Sequence, residues 1–170
     1  ISILEKYILG LNEFKASLHT GFMDWTMERL KELSRMLLDT AIIAFDELGD
    51  QGEESVSDQK DSVTRADMAI NEQVSLAARR SGIPAILLTE ERDGTHPGRE
   101  VIASPPLFTI VLDEMDGSKN NESGLGLLPT ATVVSIMEGT NPSYRDTLVA
   151  GAVMHSTGNV YWAARGEGSF

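Results

Sequence analysis

The chain of 170 residues contains no cysteine, which excludes structural disulfides and any zinc site built on thiolates. Basic residues are also scarce, with 14 Lys and Arg against 26 Asp and Glu, so the formal net charge is −12. A surface this acidic repels nucleic-acid backbones and anionic membranes, and we expect neither as a partner. An anionic ligand is compatible with this charge only where bound cations reverse its sign locally.

Long apolar runs are missing as well, and none approaches the length of a membrane span. The first residues show no basic stretch followed by a small-residue cleavage site, so the sequence predicts a cytoplasmic protein. Hydrophobic residues make up 41% and charged residues 24%, which is typical of a globular protein. The length fits one domain with one core.

Helical periodicity dominates the first half of the chain, and short β-like runs dominate the second. Ser2 and Glu5 form a capping box ahead of a helix within an extension at residues 1–24. Apolar stripes predict further helices from Asp24 to Leu48 and from Thr64 to Arg80, separated by an acidic loop. Helices followed by strands predict an α+β fold, with helices packed on a largely antiparallel sheet. The predicted strands are Ala85–Leu88, Phe108–Leu112, Thr130–Met137, Thr147–His155 and Asn159–Ala163.

Acidic residues gather where these elements begin or end. Asp67 lies in the first turn of the predicted third helix, Glu90 follows one strand, and Asp113 and Asp116 follow the next. Carboxylates at the ends of adjacent strands can converge, and their repulsion then requires cations between them. Hard oxygen ligands favour Mg²⁺, Mn²⁺ or Ca²⁺. Each motif alone also has an ordinary explanation: a helix cap, a solvated loop pair, or an acidic turn ending in Gly117.

Three acidic segments occur in one order along the chain. This combination arises by chance less often than any single segment does. The sequence reads Lys-Asp-Ser-Val-Thr-Arg-Ala-Asp at 60–67, Thr-Glu-Glu at 89–91 and Leu-Asp-Glu-Met-Asp-Gly-Ser at 112–118. It resembles the inositol monophosphatase superfamily, whose patterns are K-x-D-x-V-T-x-x-D, G-E-E and D-P-[LI]-D-G-[ST]. The closing Arg-Gly-Glu-Gly-Ser-Phe at 165–170 is similar to the family's R-G-x-G-[AS]-F, and the resemblance covers about residues 25–170.

The resemblance implies a metal-dependent phosphatase with two or more Mg²⁺ ions, Mn²⁺ being an alternative. By that resemblance the metals are held by three carboxylates and one main-chain carbonyl, those of Glu90, Asp113, Asp116 and Met115. Such ions polarise phosphoryl oxygens and make a bound water more acidic.

The remaining roles also follow from the resemblance. Asp67 and Ser118 match the pair that orients the attacking water, and Glu90 could accept the proton of that water. The N–H groups of Gly117 and Ser118, together with Asp116, match the positions that bind the substrate phosphate. The implied substrate is a small phosphorylated polyol, sugar or nucleotide, and the implied assembly is a lithium-sensitive homodimer.

Glu114 and the missing second half of the family's sequence favour an alternative function. Glu114 stands where the family has proline, whereas Thr89 in place of the glycine before Glu-Glu and Asn121 in place of an aromatic residue bear less on the chemistry. The family also continues into a second half with a W-D motif, whereas neither Trp25 nor Trp162 is followed by Asp. We therefore expect residues 1–170 to be the N-terminal, metal-binding domain of a larger protein. The alternative is a catalytically silent relative that binds metal or phosphate, or that acts as a regulatory interaction protein.

Overall fold

The computed structural model describes residues 25–48, 65–90, 98–117 and 129–169. Within these ranges the chain forms two α-helices, α1 (Met27–Leu48) and α2 (Arg65–Ser81), and a short 3-10 helix at Tyr144–Asp146. The strands are β1 (Ala85–Thr89), β2 (Gly98–Val101), β3 (Phe108–Asp116), β4 (Ala131–Glu138), β5 (Thr147–Met154), β6 (Val160–Ala164) and β7 (Gly168–Ser169).

The strands of the described residues form one seven-stranded sheet in the order β2-β1-β3-β4-β5-β6-β7. Only the β1–β3 pair is parallel, and every other neighbouring pair is antiparallel. The α+β fold predicted from the sequence is thus confirmed. The sequence missed β2 and β7, because each is short and carries little of the β-branched, alternating pattern that marks a strand.

Both helices pack on the same face of the sheet, and the core lies between them and that face. Helix α1 contacts β4, β5 and β6, whereas α2 contacts β1 and β3. Side chains along each strand alternate between the two faces. We call the helix-facing side the back of the sheet and the opposite side the front. Buried apolar residues at the back include Ile110, Leu112, Val134, Ile136, Val149 and Val153.

The closest approach of α1 to the sheet depends on a glycine. A Cβ atom at Gly151 would lie 2.7 Å from Leu38 Cδ1 and 3.2 Å from the Tyr161 carbonyl oxygen. Any larger residue at this position in β5 would therefore push the helix away or force Leu38 into another rotamer. The absence of a side chain lets α1 cover β4 to β6 at close range.

Several sequence predictions fall outside the described residues: the extension at 1–24 with its helix, the loop at 49–60, and Ser118. Where the predictions can be compared, α2 ends at Ser81 rather than at Arg80, and β3 continues four residues beyond Leu112. Neither described helix is long and apolar enough to cross a membrane.

Candidate metal centre

The parallel pairing of β1 and β3 brings two acidic residues side by side. Thr89 lies opposite Leu112 in the register, and the Glu90 N–H donates to the Leu112 carbonyl at 3.2 Å. The next residue in each case is therefore a carboxylate, Glu90 directly after β1 and Asp113 within β3. The parallel register of β1 and β3 thus sets the two carboxylates side by side.

A β-bulge brings the third carboxylate to the same side. Asp113 pairs with Val133 and Asp116 with Ala131, so two residues of β3 oppose the single residue Thr132. Three positions apart in a regular strand, Asp113 and Asp116 would face opposite sides of the sheet. The extra residue cancels that alternation, and both aspartates face the front. The sequence analysis had placed them beyond the end of the strand, whereas they lie inside β3.

Asp67 approaches the same point from the helix layer. Helix α2 packs against β3, and Asp67 in its first turn is 5% exposed yet close enough to act on Asp113 through its charge. The N-terminal end of a helix favours a negative charge, which offsets part of the cost of burying this carboxylate. Carboxylates on α2, after β1 and in β3 therefore lie close enough to Asp113 for their charges to act on it.

The charges that shift the pKa of Asp113 are negative. Burial, first of all, and then the negative charges of Glu90, Asp116 and Asp67 together raise the pKa of Asp113 to about 6. The Asp113 Oδ1 atom is buried and has no hydrogen-bond partner. A buried, unpartnered carboxylate oxygen among three other carboxylates is a donor set of the kind that a hard divalent cation binds. The chemistry of these oxygen donors, though not their present arrangement, therefore fits the metal implied by the resemblance.

The carboxylates near Asp113 do not form a closed coordination shell. Within the described ranges, no three Asp, Glu or His side chains already stand in the geometry of a metal site. Mutual repulsion is one physical reason, because the negative charges of Glu90, Asp116 and Asp67 disfavour the ionised form of Asp113. Glu90 and Asp116 are exposed, so their side chains are free to rotate toward a shared ligand.

The other predicted site residues have mixed outcomes. The side chain of Met115 is buried in the core, which leaves only its main chain for a role at the site. Gly117 has φ +85°, the conformation that the sequence analysis expected at the end of this acidic turn. Ser118 lies outside the described residues.

The back of the bulge holds polar residues that sequence reasoning had not grouped. Glu114 is 1% exposed and accepts a hydrogen bond from Asn71 Nδ2. Asn71 lies one helical turn after Asp67 and therefore on the same face of α2. That i, i+4 spacing is the signal by which the sequence could have linked Asn71 to the site. Alternation along β3 directs Glu114, which stands where the family pattern has proline, to the back of the sheet.

Comparison with solved structures identifies the fold. A calcium-bound inositol monophosphatase (IMPase) family protein from Staphylococcus aureus aligns with a TM-score of 0.65 and 18% identity, over 86% of this chain and 51% of that chain. An IMPase/NADP phosphatase complexed with Mg²⁺ and phosphate gives 0.63 and 16%, over 85% and 51%. Fructose-1,6-bisphosphatase from Leishmania major in its holo form gives 0.60 and 16%, over 78% and 47%.

These likenesses establish the fold, which is that of the inositol monophosphatase superfamily, as the sequence resemblance predicted. The chain spans about half the length of the structures it matches. No protein-family model and no curated protein matches it.

Proposed function

We propose that the chain supplies the metal-binding domain of a Mg²⁺-dependent phosphomonoesterase. The observation that carries the proposal is the convergence of Asp67, Glu90 and Asp116 on Asp113, whose Oδ1 is buried without a partner. Carboxylates from three separate elements cost free energy when gathered without a counter-charge, so their convergence needs a functional reason. The match in fold to phosphatases whose structures contain Mg²⁺ or Ca²⁺ supports the same conclusion.

In this proposal the metal ligands are Glu90, Asp113, Asp116 and the carbonyl of Met115. When bound, Mg²⁺ would polarise the phosphoryl group, raise the acidity of a water and stabilise the leaving oxygen. Asp113, half-buried at the front, would serve as the anchoring ligand. Asp116 and Glu90, both exposed, would close around the cation from either side.

The protein groups would also handle the water and the phosphate. Glu90 would accept a proton from the attacking water, while Asp67 and Ser118 would orient that water. The positive φ of Gly117 turns the chain just beyond β3. We propose that the N–H groups of Gly117 and Ser118, next to Asp116, bind a phosphate oxygen there.

The proposed substrate is a small phosphorylated polyol, sugar or nucleotide. The solved structures with this fold include an inositol monophosphatase/NADP phosphatase and a fructose-1,6-bisphosphatase, so the fold accommodates each of these classes. The chain covers about half the length of those proteins, so the substrate is proposed only by its chemical class. A lithium-sensitive homodimer in the cytoplasm is part of the same proposal.

A phosphate-release assay tests the proposal on protein expressed from the complete reading frame. The panel comprises inositol 1-phosphate, fructose 1,6-bisphosphate, 3′-phosphoadenosine 5′-phosphate and NADP, each with Mg²⁺ and with a chelator. We expect Mg²⁺-dependent turnover of at least one substrate and its loss in Asp116→Asn. Asp46→Asn is the matched control, because Asp46 is an exposed aspartate on α1.

No turnover of any substrate by folded protein that still binds Mg²⁺ would favour the catalytically silent relative. Equal turnover by wild type and Asp116→Asn would contradict the assignment of the site.

A further inference from the structure

The bulge in β3 depends on a side chain from the neighbouring strand. Thr132 is the single residue of β4 that lies opposite Glu114 and Met115, and it is fully buried. Its hydroxyl donates a hydrogen bond of 2.6 Å to the main-chain carbonyl of Glu114. A bulge disrupts the ladder locally, and this side-chain bond ties the bulged residue to β4.

His155 fixes the direction of that hydroxyl. Its Nε2 lies 3.1 Å from Thr132 Oγ1. Because the only proton of the hydroxyl is donated to Glu114, the imidazole must donate its own proton from Nε2. Its Nδ1 is then unprotonated, and it is buried without a partner. Burial lowers the pKa of His155 to about 4, which keeps the ring in this neutral form at neutral pH.

The ring of His155 is itself held in place by α1. Phe45 stacks on it with ring centroids 4.1 Å apart and planes 26° apart. The main-chain N–H of His155 also donates to the Thr130 carbonyl at 3.0 Å, just beside the start of β4. Phe45 therefore packs on the imidazole, and the main chain of His155 is fixed beside the start of β4.

We propose that Thr132, aligned by His155, is a positioning residue that holds the bulge and so keeps Asp113 and Asp116 on one face of the sheet. Glu114 lacks the fixed φ that a proline would give, and a hydrogen bond from β4 supplies the restraint instead. Without the hydroxyl, the two-against-one pairing loses its anchor, and the two aspartates no longer hold one separation. This inference rests on the proposed function, because it assumes that both aspartates bind the same cation.

The test uses Mn²⁺ as the probe and protein from the complete reading frame. Mn²⁺ affinity is measured by electron paramagnetic resonance for wild type, Thr132→Val and Thr132→Ser. The valine has the same shape without the hydroxyl, and the serine restores the hydroxyl. We expect the dissociation constant to rise about tenfold or more in Thr132→Val and to stay within about threefold in Thr132→Ser.

Thr109→Val is the matched control for a general loss of stability. Thr109 is equally buried, and its hydroxyl donates to the Gly139 carbonyl at 2.7 Å, at the opposite end of β3. Its replacement removes the same kind of bond seven positions from Asp116. We expect no change in Mn²⁺ affinity from it.

A second readout needs no metal. Hydrogen exchange of the Met115 and Asp116 amides reports opening of the bulge directly. We expect it to accelerate at least about tenfold in Thr132→Val and in His155→Phe, and to remain unchanged in Thr109→Val. If Thr132→Val fails to fold, His155→Phe carries both measurements, since it removes only the bond that aligns the hydroxyl.

The outcomes separate the two proposals. Wild-type affinity in Thr132→Val or His155→Phe, with unchanged amide exchange, would overturn the positioning role and leave the metal site intact. An equal loss of affinity in Thr109→Val would overturn it as well. If wild type itself binds no Mn²⁺, the proposed function fails, and the exchange rates alone still decide whether Thr132 holds the bulge.

Discussion

The two sides of the bulge in β3 differ sharply, although consecutive residues form them. At the front, Asp113 and Asp116 are partly or fully accessible and lie among other carboxylates. At the back, Glu114 and Met115 are buried, Thr132 donates to the main-chain carbonyl of Glu114, and Asn71 donates to its Oε1. The front therefore gathers negative charges whose repulsion a bound cation would relieve, and the back holds hydrogen bonds that tie the bulge to β4 and α2.

We expect the largest difference between the front and the back of the bulge in the rate of phosphate release. Asp113→Asn should reduce Mg²⁺-dependent phosphate release by at least about a hundredfold, because it removes a proposed ligand. Glu114→Gln keeps an oxygen to accept the Asn71 bond, so we expect turnover within about fivefold of wild type. Both variants are measured as kcat/KM on the best substrate. Equal losses would mean that the charge of Glu114 acts at the site and that the division into front and back is wrong.

At the back of the bulge, His155 should make the stability of the fold depend on pH. His155 has a pKa lowered to about 4 in the folded protein against 6.5 when unfolded, because burial disfavours its charged form. The unfolded state then binds the proton first, so stability falls as pH drops from about 6.5 to about 4, by ~2 kcal/mol. Urea unfolding across this window, with a chelator present, measures the loss. His155→Phe should lack this component, and an unchanged slope in that variant would contradict the assignment.

At the front of the bulge, stability should depend on pH with the opposite sign. The pKa of Asp113 is raised from 3.8 to about 6 in the folded protein, so the unfolded state releases the proton first. Stability is therefore lost as pH rises from about 3.8 to about 6, by ~1 kcal/mol once screening of this half-exposed group is included. Without metal, Asp113→Asn should unfold at higher urea than wild type at pH 7 and lose that advantage near pH 3.5. A destabilised Asp113→Asn at pH 7 would show that the carboxylate is not repelled there.

The smallest effect belongs to a region remote from both sides. Arg79 on α2 pairs with Glu100 on β2 at 2.6 Å, and both side chains are more than a third exposed. Arg79→Ala should cost less than ~1 kcal/mol of stability and leave turnover unchanged, because exposed ion pairs contribute little. Thermal unfolding and the phosphate assay check this. A loss of turnover would extend the site beyond the end of β3.

Much of the fold was readable from local pattern. The stripe through Leu30, Leu33 and Leu37 predicts α1, and the apolar alternation of β4 and β5 predicts those strands. The parallel pairing of β1 with β3 was not readable, because no local pattern specifies a strand's partner. That pairing, rather than either motif alone, sets Glu90 beside Asp113.

The candidate site was readable only in part. Motif resemblance pointed to Asp67, Glu90, Asp113 and Asp116, and the charges of the other three raise the pKa of Asp113. The roles of Thr132 and His155 could not be predicted, because they lie 18 or more positions from Glu114 and meet it only through pairing across β4. The bulge itself appears only when the registers of two strands are compared.

One measurement tests most directly whether the converging carboxylates bind a shared cation. Substoichiometric Mn²⁺ is added to isotopically labelled protein, and broadening of amide signals by the paramagnetic ion is recorded residue by residue. The account predicts strong broadening at Asp67, Glu90, Asp113 and Asp116 together, reversed by excess Mg²⁺ and absent in Asp116→Asn. Broadening spread over unrelated acidic surface, with these four residues unaffected, would contradict it.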